Sequence, residues 1–112
     1  LRWDSVRQLD FEPPDRQKFP LLGLAYRALD LGGTAGCVLN AADEIAVAAF
    51  LNSEISFPGI ARVVETTMER TTAIGSRPDS IRQVLDADRQ ARAIAKQVVL
   101  ETKAAKIQTT LP

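Results

Sequence analysis

The sequence predicts an all-α fold, a four-helix bundle-like domain preceded by an extended linker. Apolar residues recur at helical spacing in four successive stretches. Prolines and glycines fall where such stretches should begin and end. No run alternates as a half-buried strand would. With 112 residues, 46% hydrophobic and 25% charged, the chain suits one ordinary globular domain.

Residues 1–18 are expected to form the linker. Pro14 holds Pro13 extended, and neither proline can donate to a ladder. Leu9 and Phe11 then share one side of the extended segment and need a surface to cover them. Helix one is expected over Pro20 to Leu31, where Leu21, Leu24, Ala25 and Ala28 follow i, i+3, i+4, i+7. Pro20 suits its first turn and Gly32-Gly33 its end.

Helix two carries Ala42, Ile45, Ala46, Ala49 and Phe50 on one stripe. Thr34 and Asn40 are both plausible caps, and Asn52-Ser53 is a reasonable stop. Helix three opens at Ser56-Phe57-Pro58-Gly59, with Ile60, Val63, Val64, Thr67 and Met68 inside and Arg62, Glu65, Glu69 and Arg70 outside. Residues 71–80 read as a loop. Ser80 can cap one short turn through Ile81, Val84 and Leu85, after which Asp86 or Asp88 caps a longer helix. The stripe of that helix is Ala91, Ile94, Ala95, Val98 and Thr102, and its solvated side is Arg89, Arg92, Lys96 and Lys103. The bundle is thus expected over residues 19–107, with 108–112 a frayed tail.

Fourteen basic and fourteen acidic residues cancel, which argues against nucleic acid or an anionic membrane as partner. The chain has no His, which removes Ser-His-Asp and Cys-His catalysis and the commonest transition-metal ligand. The lone Cys37 cannot form an internal disulfide, sits among small apolar residues, and is expected to be inert packing in a reducing compartment. The longest apolar run, Ile45 to Leu51, is too short to span a bilayer. The chain starts at Leu1 and its only Met is Met68, so it is expected to be part of a longer polypeptide.

Gly32-Gly33-Thr34-Ala35-Gly36 superficially suggests a phosphate loop, but it follows a helix and lacks the Lys-Ser/Thr pair, so a helix–helix turn is expected. Asp10, Glu12 and Asp15 are too few, on too proline-rich a segment, to converge on a hard cation. Asp43 and Glu44 can serve the helix N-terminus electrostatically. Alternatively Asn40, Asp43 and Glu44, at i, i+3, i+4, make one polar face that hydrogen-bonds another segment or domain. Trp3 and Phe11 lie outside every helical stripe.

Leu9-Asp10-Phe11-Glu12-Pro13-Pro14-Asp15, then Phe19-Pro20, then Leu24-Ala25, resembles the pattern LxFxxPD…(F/Y)P…LA. Gly32-Gly33-Thr34 and the run from Val38 to Leu51 look like GGT…VLNAANEVAVAAFL. Ile55 to Ile60 looks like IxFxxI, and Val84 to Arg92 is similar to VxxxDxxAR. Together these resemble the linker and C-terminal helical domain of the 1-deoxy-D-xylulose-5-phosphate reductoisomerase family, over about residues 9 to 99.

The resemblance implies an enzyme that isomerises and reduces 1-deoxy-D-xylulose 5-phosphate to 2-C-methyl-D-erythritol 4-phosphate. It implies NADPH and Mg or Mn in the full-length protein, a place in non-mevalonate isoprenoid biosynthesis, a cytoplasmic location and a homodimer. The partners of this piece would be the upstream catalytic and NADPH-binding domains of the same chain. No catalytic, cofactor-binding or metal residue of the family maps onto these 112 residues, so the fragment itself is expected to be inactive and to bind no cofactor. The candidate domain-interface residues are Leu9, Phe11, Pro14, Asp15, Phe19, Asn40, Asp43 and Glu44. Asp43 departs from the family's Asn, and a carboxylate cannot donate as an amide does. The alternative is a stand-alone helical interaction module of the same ancestry without the reaction.

Overall fold

The computed structural model describes residues 2–72 and 74–110, with the side chains of 108–110 outside that description. Four helices follow an extended N-terminal segment: α1 Pro20–Leu31, α2 Ala35–Leu51, α3 Phe57–Arg70 and α4 Ile81–Thr110. No strand occurs among the described residues. The all-α bundle predicted from periodicity is the fold observed.

Helix α1 begins with Pro20 in its first turn and ends where Gly32, at φ 65°, turns the chain and donates its N–H to the Ala28 carbonyl. Helix α2 starts at Ala35, just after Thr34. Thr34 makes no capping bond; its hydroxyl donates to the Ile74 carbonyl at 2.9 Å. Asn40, the other candidate cap, lies inside the helix. Helix α2 packs against all three other helices and is the centre of the bundle, whereas α1 lies against α2 and α3.

That central position explains why α2 buries more than the expected stripe. Ala35, Val38 and Ala41 join Ala42, Ala46 and Ala49 in the core. Small side chains on several faces let neighbouring helices approach closely. Phe50 is only half-buried, its ring meeting Phe57 edge-on at 5.7 Å.

Helix α3 follows its predicted register. The Ser56 hydroxyl accepts from the Gly59 N–H, and Ile60, Val63, Val64, Thr67 and Met68 are buried. The buried Thr67 hydroxyl donates back to the Val63 carbonyl, so that polar atom brings its own partner into the core.

Helix α4 differs from expectation. It is one continuous helix from Ile81, not a short turn followed by a second start. Ser80 does cap it, accepting from the Gln83 N–H, while the Gln83 side chain accepts from the Asp79 N–H. Asp86 and Asp88 do not begin a helix. Asp86 pairs with Arg89, and Asp88 with Arg92 one turn ahead. With no Gly or Pro from residue 81 to 107, nothing breaks the backbone pattern. The backbone is helical through Thr110, so the segment expected to fray falls partly in α4, and Leu111 and Pro112 lie outside the described residues.

Candidate functional site

The linker leaves its large apolar groups uncovered by this chain. Phe11 is 90% and Leu9 59% exposed, and Trp3 and Pro14 also face solvent. Pro13 and Pro14 hold the backbone extended around residues 12–14, next to Phe11. Just before α1, Asp15 closes a tight turn. Its carboxylate accepts from the N–H groups of Gln17 and Lys18, both at 3.0 Å, and its carbonyl accepts from the Phe19 N–H. Asp15 is thus occupied in shaping the chain's entry into α1. The Arg16 guanidinium stacks over Tyr26 at 4.9 Å, which anchors the turn to the helix.

The second predicted group sits on α2. Asn40 donates to Glu44 at 3.2 Å, one turn on. The other Glu44 carboxylate oxygen accepts from Arg92 of α4 at 2.8 Å, and Arg92 also donates to Asp88 at 2.8 Å. The Arg92 hydrogen bond first, and that from Asn40 second, hold the Glu44 carboxyl below its ordinary range. The same two carboxylates push Arg92 further up, so it stays charged. Of that face, Glu44 bonds another segment, α4 of the same chain, while Asn40 bonds only Glu44.

Arg92 was expected on a plain solvated side. Its side chain is instead only 32% exposed and ties α4 to α2. The i, i+4 spacing of Asp88 and Arg92 was a legible local signal. The reach to Glu44, 48 residues away, was not. Lys103 likewise leaves the solvated side to pair with Glu54.

Asp43 points elsewhere. It is half-buried and lines a cleft of about 280 Å³ with Leu21, Leu39 and Asn40. Leu21 also borders a larger groove with Phe19. The first turn of α1 therefore joins the linker exit to the Asn40–Asp43 cleft, while Glu44 faces α4 instead.

The glycine turn is closed. Thr34 donates its N–H to the Ser76 carbonyl, and Gly33, at φ 54°, packs so tightly on the carbonyls of Gly75 and Ser76 that a Cβ would overlap them. Carbonyl oxygens are acceptors and do not cradle a phosphate. Among the described residues no group of three His, Cys, Asp or Glu is arranged to hold a metal ion, and no helix is long and apolar enough to cross a membrane. Cys37 is half-buried with its sulfur 3.6 Å from the Val84 carbonyl; burial, and next the Asp88 charge, push its thiol up. A thiol so held stays protonated and packs as a small apolar group.

Comparison with known proteins places this geometry. The model of the DXP reductoisomerase C-terminal domain matches residues 1–94. The 1-deoxy-D-xylulose 5-phosphate reductoisomerase of Solibacter usitatus is 45% identical over 98 residues, covering 88% of this chain and 24% of that protein. That of Methylococcus capsulatus is 48% identical over 95 residues, covering 85% and 24%. The solved reductoisomerase of Zymomonas mobilis, in complex with NADPH, superposes with a TM-score of 0.79 at 42% identity, over 88% of this chain and 26% of that one. The chain spans about a quarter of the length of the relatives it matches. It belongs to the family of DXP reductoisomerase C-terminal domains.

Proposed function

We propose that this chain is the C-terminal structural domain of an enzyme converting 1-deoxy-D-xylulose 5-phosphate to 2-C-methyl-D-erythritol 4-phosphate with NADPH and Mg or Mn, a step of non-mevalonate isoprenoid biosynthesis in the cytoplasm. The reaction takes place in upstream domains of the same polypeptide, which assembles as a homodimer. The bundle supports the catalytic domain, and residues 1–18 lie across it with Leu9 and Phe11 covered. Nucleic acid and membrane are not its partners.

The observation that carries this reading is identity above 40% along nearly the whole chain to proteins about four times longer. The uncovered Leu9 and Phe11 support it, because an apolar ring 90% exposed gains most from a surface supplied elsewhere. The residues present do not fit the cofactors. The glycine turn offers acceptors where a dinucleotide phosphate needs donors, and the Glu44 carboxylate of α2 is held by Arg92. No observation favours the stand-alone interaction module.

The test is turnover. The 112-residue chain, given 1-deoxy-D-xylulose 5-phosphate, NADPH and Mg or Mn, is expected to show no NADPH oxidation, whereas the complete polypeptide oxidises it. Metal-dependent turnover by the 112 residues alone, or none by the complete polypeptide, would overturn the assignment.

A further inference from the structure

The first turns of α1 and α3 stand side by side and leave a groove of about 490 Å³ between them, walled by Phe19, Pro20, Leu21, Phe57, Pro58 and Ile60. Phe19 is 51% and Phe57 62% exposed, so two aromatic rings face solvent at one end of the bundle. Lys18, whose ammonium lies 5.6 Å over the Phe19 ring, and Arg62 also line the groove, against the single acid Glu65. Arg62 has no ion pair among the described residues. Both helices begin here and add the positive ends of their dipoles, and α1 brings no capping side chain. An apolar floor under a positive rim fits an occupant that is apolar at its centre and acidic at its edge.

The location narrows the occupant further. The groove opens where the linker delivers the chain into α1, and through Leu21 it adjoins the Asn40–Asp43 cleft. The matched relatives carry about three quarters of their length outside the region shared with this chain. In a polypeptide of that length the preceding domain connects through residues 1–19, so this end of the bundle lies within its reach. Eighteen extended residues span at most about 60 Å.

We infer that this groove is the bundle's seat for the domain preceding the linker in the complete polypeptide, filled by an apolar side chain flanked by carboxylates. The inference rests on the reading above, in which the linker belongs to a longer reductoisomerase. It adds a second, independent contact beyond Leu9 and Phe11.

Photo-cross-linking in the complete polypeptide tests it. A benzophenone amino acid is placed singly at position 57, at position 11, and at position 97, where the exposed Gln97 of α4 serves as control. Products are mapped by mass spectrometry. The probes at 57 and 11 are each expected to join peptides upstream of the linker in the same chain, and the probe at 97 is not. Arg62→Glu is expected to lower the yield from position 57 severalfold and leave that from position 11 unchanged. The inference is overturned if the probe at 57 joins the linker or a second subunit, gives no upstream product, or reacts no better than that at 97. An unchanged yield in Arg62→Glu overturns the acidic edge of the occupant. Failure at 57 with success at 11 removes only the groove contact. Failure at both also removes the linker's placement.

Discussion

Gly33 is the glycine with the least room for a side chain. Its φ of 54° suits glycine, and a side chain there would drive into the carbonyls of Gly75 and Ser76. Gly33→Ala should cost about 2–4 kcal/mol, combining a left-handed backbone penalty with overpacking. Thermal unfolding measures it, and a loss below half a kcal/mol would say that the turn has other conformations. Phe50 is a milder case. A fully buried ring there would have implied a loss of about 3–5 kcal/mol on truncation. Half-buried against Phe57, Phe50→Ala should cost about 2 kcal/mol, mostly from the lost ring contact and partial burial. Chemical denaturation of the variant checks it.

Glu44 and Arg92 give the chain an acid limb. A carboxyl held below its unfolded value contributes stability that is present above that value and is lost as pH falls through the folded one. For Glu44 that window lies below its ordinary 4.5. The melting temperature should therefore fall with pH there, and the fall should be shallower in Arg92→Met. Parallel slopes in the two proteins would contradict the role given to the pair.

Among the elements, α1 and α3 were legible almost residue by residue, because their signals are local: Pro20 and Pro58 in first turns, Gly32 at an end, Ser56 at a start. Helix α4 was legible in its stripe but not in its continuity. Asp86 and Asp88 have the chemistry of caps, and only the arginines one turn ahead show that they are spent on ion pairs. Glu44 with Arg92, Glu54 with Lys103 and Thr34 with Ile74 were illegible, since each joins segments separated by 40 residues or more. In the candidate interface, exposure of Leu9 and Phe11 was foreseeable from the prolines, whereas the groove between α1 and α3 needed coordinates. One prediction belongs here. Ser80→Ala should destabilise the domain by about 1 kcal/mol, since Ser80 caps the whole of α4. Asp86→Ala should cost a few tenths, as an exposed ion pair does. Equal losses in guanidinium unfolding would restore the idea of two helix starts.

Across the whole molecule, the buried core and the exposed aromatic side chains are separated in space. The alanine-rich face of α2, Ile60, Val63, Val64 and Met68 of α3, and Ala91, Ala95, Val98 and Val99 of α4 close one core, while the exposed Trp3, Phe11, Phe19 and Phe57 lie on the linker and at the starts of α1 and α3. This division suits a domain whose own fold needs no partner but whose position does. Asp43→Asn fits the same division: near-neutral in the domain alone, felt where the cleft beside Leu21 meets another surface.

Hydrogen exchange on residues 6–19 probes that division most directly, comparing the 112-residue chain with the complete polypeptide. The amides around Leu9 and Phe11 should exchange freely in the short chain while those of α2 and α3 are protected. In the complete polypeptide both sets should be protected. Equal, rapid exchange of residues 6–19 in the two proteins would contradict the account.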